Sequence, residues 1–202
     1  EKAINWKKPL HIGMDFNVDP MSCAVAQIHQ EPITKRDKIY FIDEVVIYSS
    51  NTEEMCQELR DRYGTKVPIF IYPDPACRQR KTSAGGKTDL SILQNAGFQV
   101  KVRHQHTPIR DRVNAVNARL KSVTGERDIF ISKSCKIMIK GLQQQIYKVG
   151  TNIPDKESGY DHMNDSIGYL VDFLKPLTIQ APSFKAQRWN IKQKRRYGIH
   201  TR

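Results

Sequence analysis

Leu10-His11-Ile12-Gly13-Met14-Asp15-Phe16 sets Leu10, Ile12, Met14 and Phe16 on one face and His11, Gly13 and Asp15 on the other. Alternation with a period of two marks a half-buried β-strand, and this one ends in a carboxylate. Working outward, Asn17 to Pro20 reads as a turn, Ser22 to His29 as a second strand, Pro32 to Lys38 as a connection and Ile39 to Tyr48 as a third strand. Three strands with such short links form an antiparallel meander.

The pattern then changes. Glu53 and Glu54 stand where the positive end of a helix dipole favours acids, and Met55, Leu59 and Tyr63 follow at helical spacing before Gly64, which predicts a helix over 52–63. Val67-Pro68-Ile69-Phe70-Ile71-Tyr72 is a continuous apolar run closed by Pro73-Asp74-Pro75, suited to a buried central strand whose end presents Asp74. Thr88 to Ala96 predicts a helix stopped by Gly97, and Phe98 to Val102 a strand. Ile109 to Ser122 predicts a helix with Val113, Val116 and Leu120 inward and Arg110, Arg112, Arg119 and Lys121 on its other face. Asp128 to Ile131 reads as a short strand, Cys135 to Ile146 as a helix, and Tyr147 to Tyr160 as a loop or hairpin. Asp161 to Leu174 is the last helix, with Ile167, Leu170, Val171 and Leu174 as its apolar stripe and Pro176 ending it. A meander followed by α/β alternation around one mixed sheet, with flanking helices, is an order that the ribonuclease H-like fold satisfies.

The length of 202 residues suits one domain, 1–176, followed by a flexible basic tail, 177–202. Hydrophobic residues at 39% are enough for a packed core and exclude global disorder. No apolar run approaches the ~18 residues of a membrane span, and Glu1 to Lys8 lacks the apolar centre of a signal peptide, so the expected setting is neither membrane nor secreted. A chain that opens on Glu1, with a strand almost at once, reads as a piece of a longer polypeptide. Cys23, Cys56, Cys77 and Cys135 form no C-x-x-C pair, which points away from a zinc framework or a disulfide scaffold and towards a reducing compartment.

The net charge is +12, and most of it is terminal. Lys175, Lys185, Arg188, Lys192, Lys194, Arg195, Arg196 and Arg202 stand in the last 28 residues without a single acid. With Trp189 and Tyr197 among these cations, the segment suits a polyanion such as nucleic acid, and on charge alone it reads equally as a solubilising tail or a docking peptide.

Asp15 and Asp74 both end strands, and in one sheet their side chains converge at the same edge. Each alone reads as a turn former or cap. In Asp161-His162-Met163-Asn164-Asp165, His162 and Asp165 are three apart and Asp161 and Asp165 four apart, so they share a helix face. Asp161 reads as the N-cap, whereas Asp165 has no capping role. Aspartates from separate elements suffice for hard divalent ions, and two ions about 3.5–4 Å apart can activate water and stabilise a leaving oxygen in phosphodiester hydrolysis.

Gly13-Met14-Asp15-Phe16-Asn17, then Tyr72-Pro73-Asp74-Pro75-Ala76, then Asp161-His162-Met163-Asn164-Asp165-Ser166-Ile167-Gly168-Tyr169, in this order, resembles the C-terminal nuclease domain of the large terminase subunit of tailed bacteriophages, over about residues 8–175. The resemblance implies a ribonuclease H-like, metal-dependent endonuclease that cuts concatemeric viral DNA during packaging in the host cytoplasm. It implies two Mg²⁺ or Mn²⁺ ions and a catalytic triad of Asp15, Asp74 and Asp165. His162 and Asp161 are further metal candidates, and Asp19 is an outer one. Implied partners are double-stranded DNA, the portal or procapsid, the small terminase subunit and an ATPase motor in the intact chain, with no membrane.

No motor is supplied here: Gly86-Lys87-Thr88 matches the end of a P-loop, but the first glycine of that motif falls on Lys81. Arg78, Arg80, Lys81 and Lys87 read as DNA-phosphate contacts or a solvated loop, and Arg103, His104, His106, Arg110 and Arg112 as the lining of a duplex groove. The 147–160 segment resembles the variable hairpin flanking the family's active site. A junction resolvase or transposase-like enzyme would use a similar carboxylate set, and a non-catalytic DNA- or portal-docking module is the alternative from another class.

Overall fold

The opening stretch is strand β1 (Leu10–Asp15), paired antiparallel with β2 (Met21–Gln30), which pairs antiparallel with β3 (Asp37–Ile47). Helix α1 (Thr52–Tyr63) then carries the chain back to β4 (Ile69–Pro73), parallel to β1 on its free side. Parallel pairing requires such a crossover, because a tight turn can only reverse direction. Helix α2 (Asp89–Asn95) leads to β5 (Gln99–Val100), parallel to β4. Helix α3 (Ile109–Leu120) leads to β6 (Ile129–Ile131), parallel to β3, and α4 (Lys136–Gln144) and α5 (Asp161–Leu174) complete the chain. The sheet order β5-β4-β1-β2-β3-β6, with its meander and parallel crossovers, is the expected ribonuclease H-like arrangement. This computed structural model describes residues 3–79, 87–151 and 153–177. Arg80, Lys81, most of the Thr82 to Thr88 loop and the basic tail beyond residue 177 lie outside the described residues.

Helices α1 and α5 match their expected ranges, α1 through its caps and α5 through its apolar stripe. In α1 the Asn51 side chain accepts the Glu54 N–H at 2.9 Å and Gly64 closes the end at φ 61°. The strand expected over 98–102 shrinks to Gln99 and Val100, since it is an edge strand with a single partner. A 3-10 turn, Pro75–Arg78, follows β4.

The alternation in β1 sorts two cores. Leu10, Ile12 and Met14 pack with Met55, Leu59 and Leu93 on one side of the sheet. On the other, Ala24, Phe41 and Val116 pack with Met163, Ile167, Leu170 and Val171. Helix α3 is rotated from its expected setting: Arg112, Ala115 and Val116 are buried, whereas Val113 and Leu120 are only half-buried. Arg112, expected on the exposed face, therefore points inward. The four cysteines are buried and free, and burial pushes the thiols of Cys77 and Cys135 up to about 11. No helix among the described residues is long and apolar enough to cross a membrane.

Helix α5 crosses β1 at Gly13. A β-carbon built there would stand 1.9 Å from the backbone oxygen of Ser166, so no side chain fits without moving the helix. Ser166 is fully buried, with its hydroxyl 2.9 Å from the Ser22 carbonyl of β2 and 3.0 Å from that of His162. Gly13→Ala is expected to destabilise the fold by about 3 kcal/mol, at the upper end of overpacking costs. For a chain of this size that is a fall of roughly 6–12 °C in melting temperature, read by calorimetry; an unchanged Tm would contradict the contact.

Candidate active site

Asp15 is the last residue of β1, and Asp74 directly follows β4, its parallel neighbour. The Asp74 N–H donates to the Met14 carbonyl at 3.2 Å, which fastens the two strand ends together. Asp165 lies one turn into α5, one residue from the Gly13 contact. The expected convergence at one edge is what the structure shows: a cleft of about 310 Å³ is lined by Asp15, Asp74 and Asp165, with His162, Tyr169 and Lys156 among its other walls.

Each carboxylate is held by its own partner. Asp15 Oδ2 accepts from His162 Nδ1 at 3.1 Å. His162 Nε2 sits 2.9 Å from Asn17 Nδ2, so with Asn17 donating, the neutral imidazole carries its proton on Nδ1, facing Asp15. Asp74 Oδ1 accepts the Ala76 N–H at 2.8 Å, capping the 3-10 turn, while Oδ2 accepts from the Tyr169 hydroxyl at 2.6 Å. The turn-forming and cleft-facing readings of Asp74 thus coexist. Asp165 Oδ1 accepts from Arg112 Nη2. Asp15 Oδ1 and Asp165 Oδ2 have no hydrogen-bond partner among the described residues.

The electrostatics follow from this packing. Burial pushes the Asp15 carboxyl above its ordinary value; the His162 hydrogen bond opposes the rise, and the negative charges of Asp165 and Asp74 add to it. His162 is raised as well, which for an imidazole favours the charged form, first by the hydrogen bond to Asp15 and then, against a burial effect that lowers it, by Asp161, Asp15 and Asp165. Tyr169 is raised by burial and so remains a hydroxyl donor.

An oxygen donor set under mutual repulsion suits a hard divalent cation, which would supply the missing positive charge. Among the described residues no three histidine, cysteine, aspartate or glutamate side chains form a closed ligand set. The cleft is open, with each aspartate drawn towards a different partner. The oxygen donors of Asp15, Asp74 and Asp165 are of the type that hard divalent cations take.

Other expected residues are distributed unevenly. Asp161 is not the N-cap: Tyr160 holds that position, without a side-chain cap, and Asp161 is the first helical residue, buried, 3.7 Å from both His162 Nε2 and Lys156 Nζ. Asp161 is among the residues of the adjacent cavity between α3, α4 and α5 and not among those of the cleft. Asp19 turns away, accepting the Ser49 N–H at 3.3 Å. Arg78 donates to the carbonyls of Val102 and Arg103, and Arg103 pairs with Asp172 at 3.0 Å, so both brace the fold. Arg110 and Lys87 are exposed, and exposed His106 is 3.5 Å from Asp74. The 147–160 segment forms a hairpin-like bridge, Tyr147 with Pro154, and delivers Lys156 to the cleft.

Asn17, Tyr169 and Lys156 were not singled out by sequence reasoning, and Arg112 was assigned to the surface. The signal for Tyr169 was its place four residues after Asp165, one turn along the same face. Arg112 had no comparable signal.

The chain matches the model of the terminase RNaseH-like domain family over residues 12–172. A search of curated proteins finds no significant match. Among solved structures it is similar to the P22 large terminase nuclease domain, at 13% identity over 79% of this chain and 78% of that one, with a TM-score of 0.56. It is also similar to the Thermus phage P74-26 large terminase nuclease domain, at 11% identity over 84% and 81%, TM-score 0.56. The large terminase nuclease from thermophilic phage G20c with bound magnesium aligns at 11% identity over 82% and 81%, TM-score 0.55. At such identities the likeness speaks for the fold.

In the metal-free protein, an NMR titration is expected to place the His162 pKa above the ordinary value near 6.5, and Asp15→Asn to bring it down. The sign for stability follows: a raised histidine contributes fully below its unfolded value and loses that contribution as pH rises through the folded one. An unshifted His162 would show that the pair does not form in solution.

Proposed function

The chain belongs to the terminase RNaseH-like domain family, and on that premise we propose that it is a metal-dependent DNA endonuclease that cuts concatemeric viral DNA during genome packaging. The observation that carries the reading is the meeting of three aspartates, from the ends of β1 and β4 and from α5, on one open cleft.

Asp15, Asp74 and Asp165 would hold two divalent ions. Asp15, whose carboxylate feels the charge of both other aspartates, would be the central member of that donor set. When bound, such ions lower the pKa of a water and stabilise the charge on the leaving oxygen of a phosphodiester. The remaining tasks fall to the chain. His162 orients Asp15 through its Nδ1–H, and Tyr169 fixes Asp74. Lys156, at the rim, offers an exposed positive charge to a phosphate, and exposed Lys87 and Arg110 extend that attraction along the duplex. Arg80 and Lys81 belong to the same proposal. Arg78 and Arg112 do not, because their guanidinium groups are already committed to the protein. Within this reading the domain works in the host cytoplasm beside an ATPase motor, with the small terminase subunit and the portal as partners.

The test is supercoiled plasmid incubated with the protein in EDTA, Mg²⁺ or Mn²⁺. Metal-dependent linearisation is expected, abolished by EDTA and reduced at least about a hundredfold by Asp15→Asn, Asp74→Asn or Asp165→Asn, each of which removes a ligand charge at constant volume. Circular dichroism checks that each variant is folded. Full cleavage by all three folded variants would overturn the assignment.

A further inference from the structure

Arg112 is the only lysine or arginine among the described residues that is buried, at 5% exposure. A guanidinium taken out of water is unfavourable unless its surroundings compensate, so those surroundings indicate its purpose. Its stem lies where Gly168 leaves room: a β-carbon on Gly168 would stand 2.9 Å from Arg112 Cγ and Cδ. Its guanidinium lies 4.4 Å over the centre of the Tyr169 ring, a cation–π distance, and Nη2 donates to Asp165 Oδ1. The Tyr169 hydroxyl in turn donates to Asp74 Oδ2.

These contacts join end to end. Asp165, Arg112, Tyr169 and Asp74 form one continuous chain behind the cleft, with Asp165 and Tyr169 one turn apart on α5. We infer that Arg112 and Tyr169 are positioning residues that act together to set the orientation and separation of Asp165 and Asp74 before a divalent ion arrives. The inference rests on the metal reading of the cleft. Two simpler roles make different predictions. A residue that only fills space would affect stability and leave ion affinity alone. A residue that only balances charge would, on removal, make the cleft more negative and tighten its hold on a cation.

The discriminating experiment is Mn²⁺ binding without DNA, followed by the electron paramagnetic resonance signal of free Mn²⁺, for wild type, Arg112→Met, Tyr169→Phe and the double variant. Positioning predicts affinity about tenfold weaker in each single variant, the usual cost of losing a partner that orients a ligand. Because both residues lie on one chain, the double variant is expected to fall well short of the hundredfold that independent effects would multiply to. Tyr169→Phe keeps the ring under Arg112 and deletes one hydroxyl, so it carries the test if Arg112→Met fails to fold. Unchanged affinity with a lowered melting temperature would overturn the inference, as would tighter binding by Arg112→Met or a full multiplicative loss in the double variant. No Mn²⁺ binding by the wild type would overturn the metal reading itself, and the positioning role with it.

Discussion

The contact of α5 with β1 at Gly13 is the constraint on which the site depends. With no β-carbon at that position, the Ser166 carbonyl occupies the space a side chain would take, and the helix lies directly on the central strand. Three consequences follow from that closeness. Met163, Ile167, Leu170 and Val171 reach the sheet and close its second core. His162 comes within hydrogen-bond distance of Asp15, and Asp165 enters the cleft that Asp15 and Asp74 open at the strand ends. A wider gap would cost apolar burial and separate the carboxylates together, so packing and chemistry are coupled through one small residue.

Three carboxylates so close repel one another, and the fold tolerates this by giving each a different kind of partner. Asp15 has a histidine, Asp74 a backbone N–H and a phenol, and Asp165 a buried arginine. Burial raises the Asp15 carboxyl, and the charges of Asp165 and Asp74 add to that rise, so the partners do not cancel the repulsion entirely. The three carboxylates line the cleft. Each partner also leaves at least part of its carboxylate facing the cleft, which is how a site can be orderly before a ligand arrives and still be open to one.

Where sequence reasoning failed, the failures share a cause. Arg112 stood on the expected exposed face of α3 because an arginine among valines is ordinarily solvated. Only the groove at Gly168, an aromatic ring and a carboxylate, all on a helix that begins well beyond α3 in sequence, make its burial tolerable. Asp161 read as an N-cap from its position, yet Tyr160 holds the cap, and Asp161 is the first helical residue and buried. Arg78 read as a phosphate contact and Arg103 as the lining of a duplex groove, and both are bound to carbonyl or carboxylate groups supplied by other segments.

The sequence by itself determined the elements and their order. Alternation in β1, the apolar run of β4, the capped helix α1 and the apolar periodicity of α5 are local signals, because hydrogen-bonded backbone repeats at two or 3.6 residues impose themselves on nearby side chains. The order of these elements, with aspartates at two strand ends and one on the last helix, was also legible, and with it the family. Tertiary structure alone decided which charged side chains face solvent and which face each other. That choice depends on whether a partner of opposite charge and the right shape lies across the fold, and no local pattern encodes a contact between residues 53 or 147 positions apart.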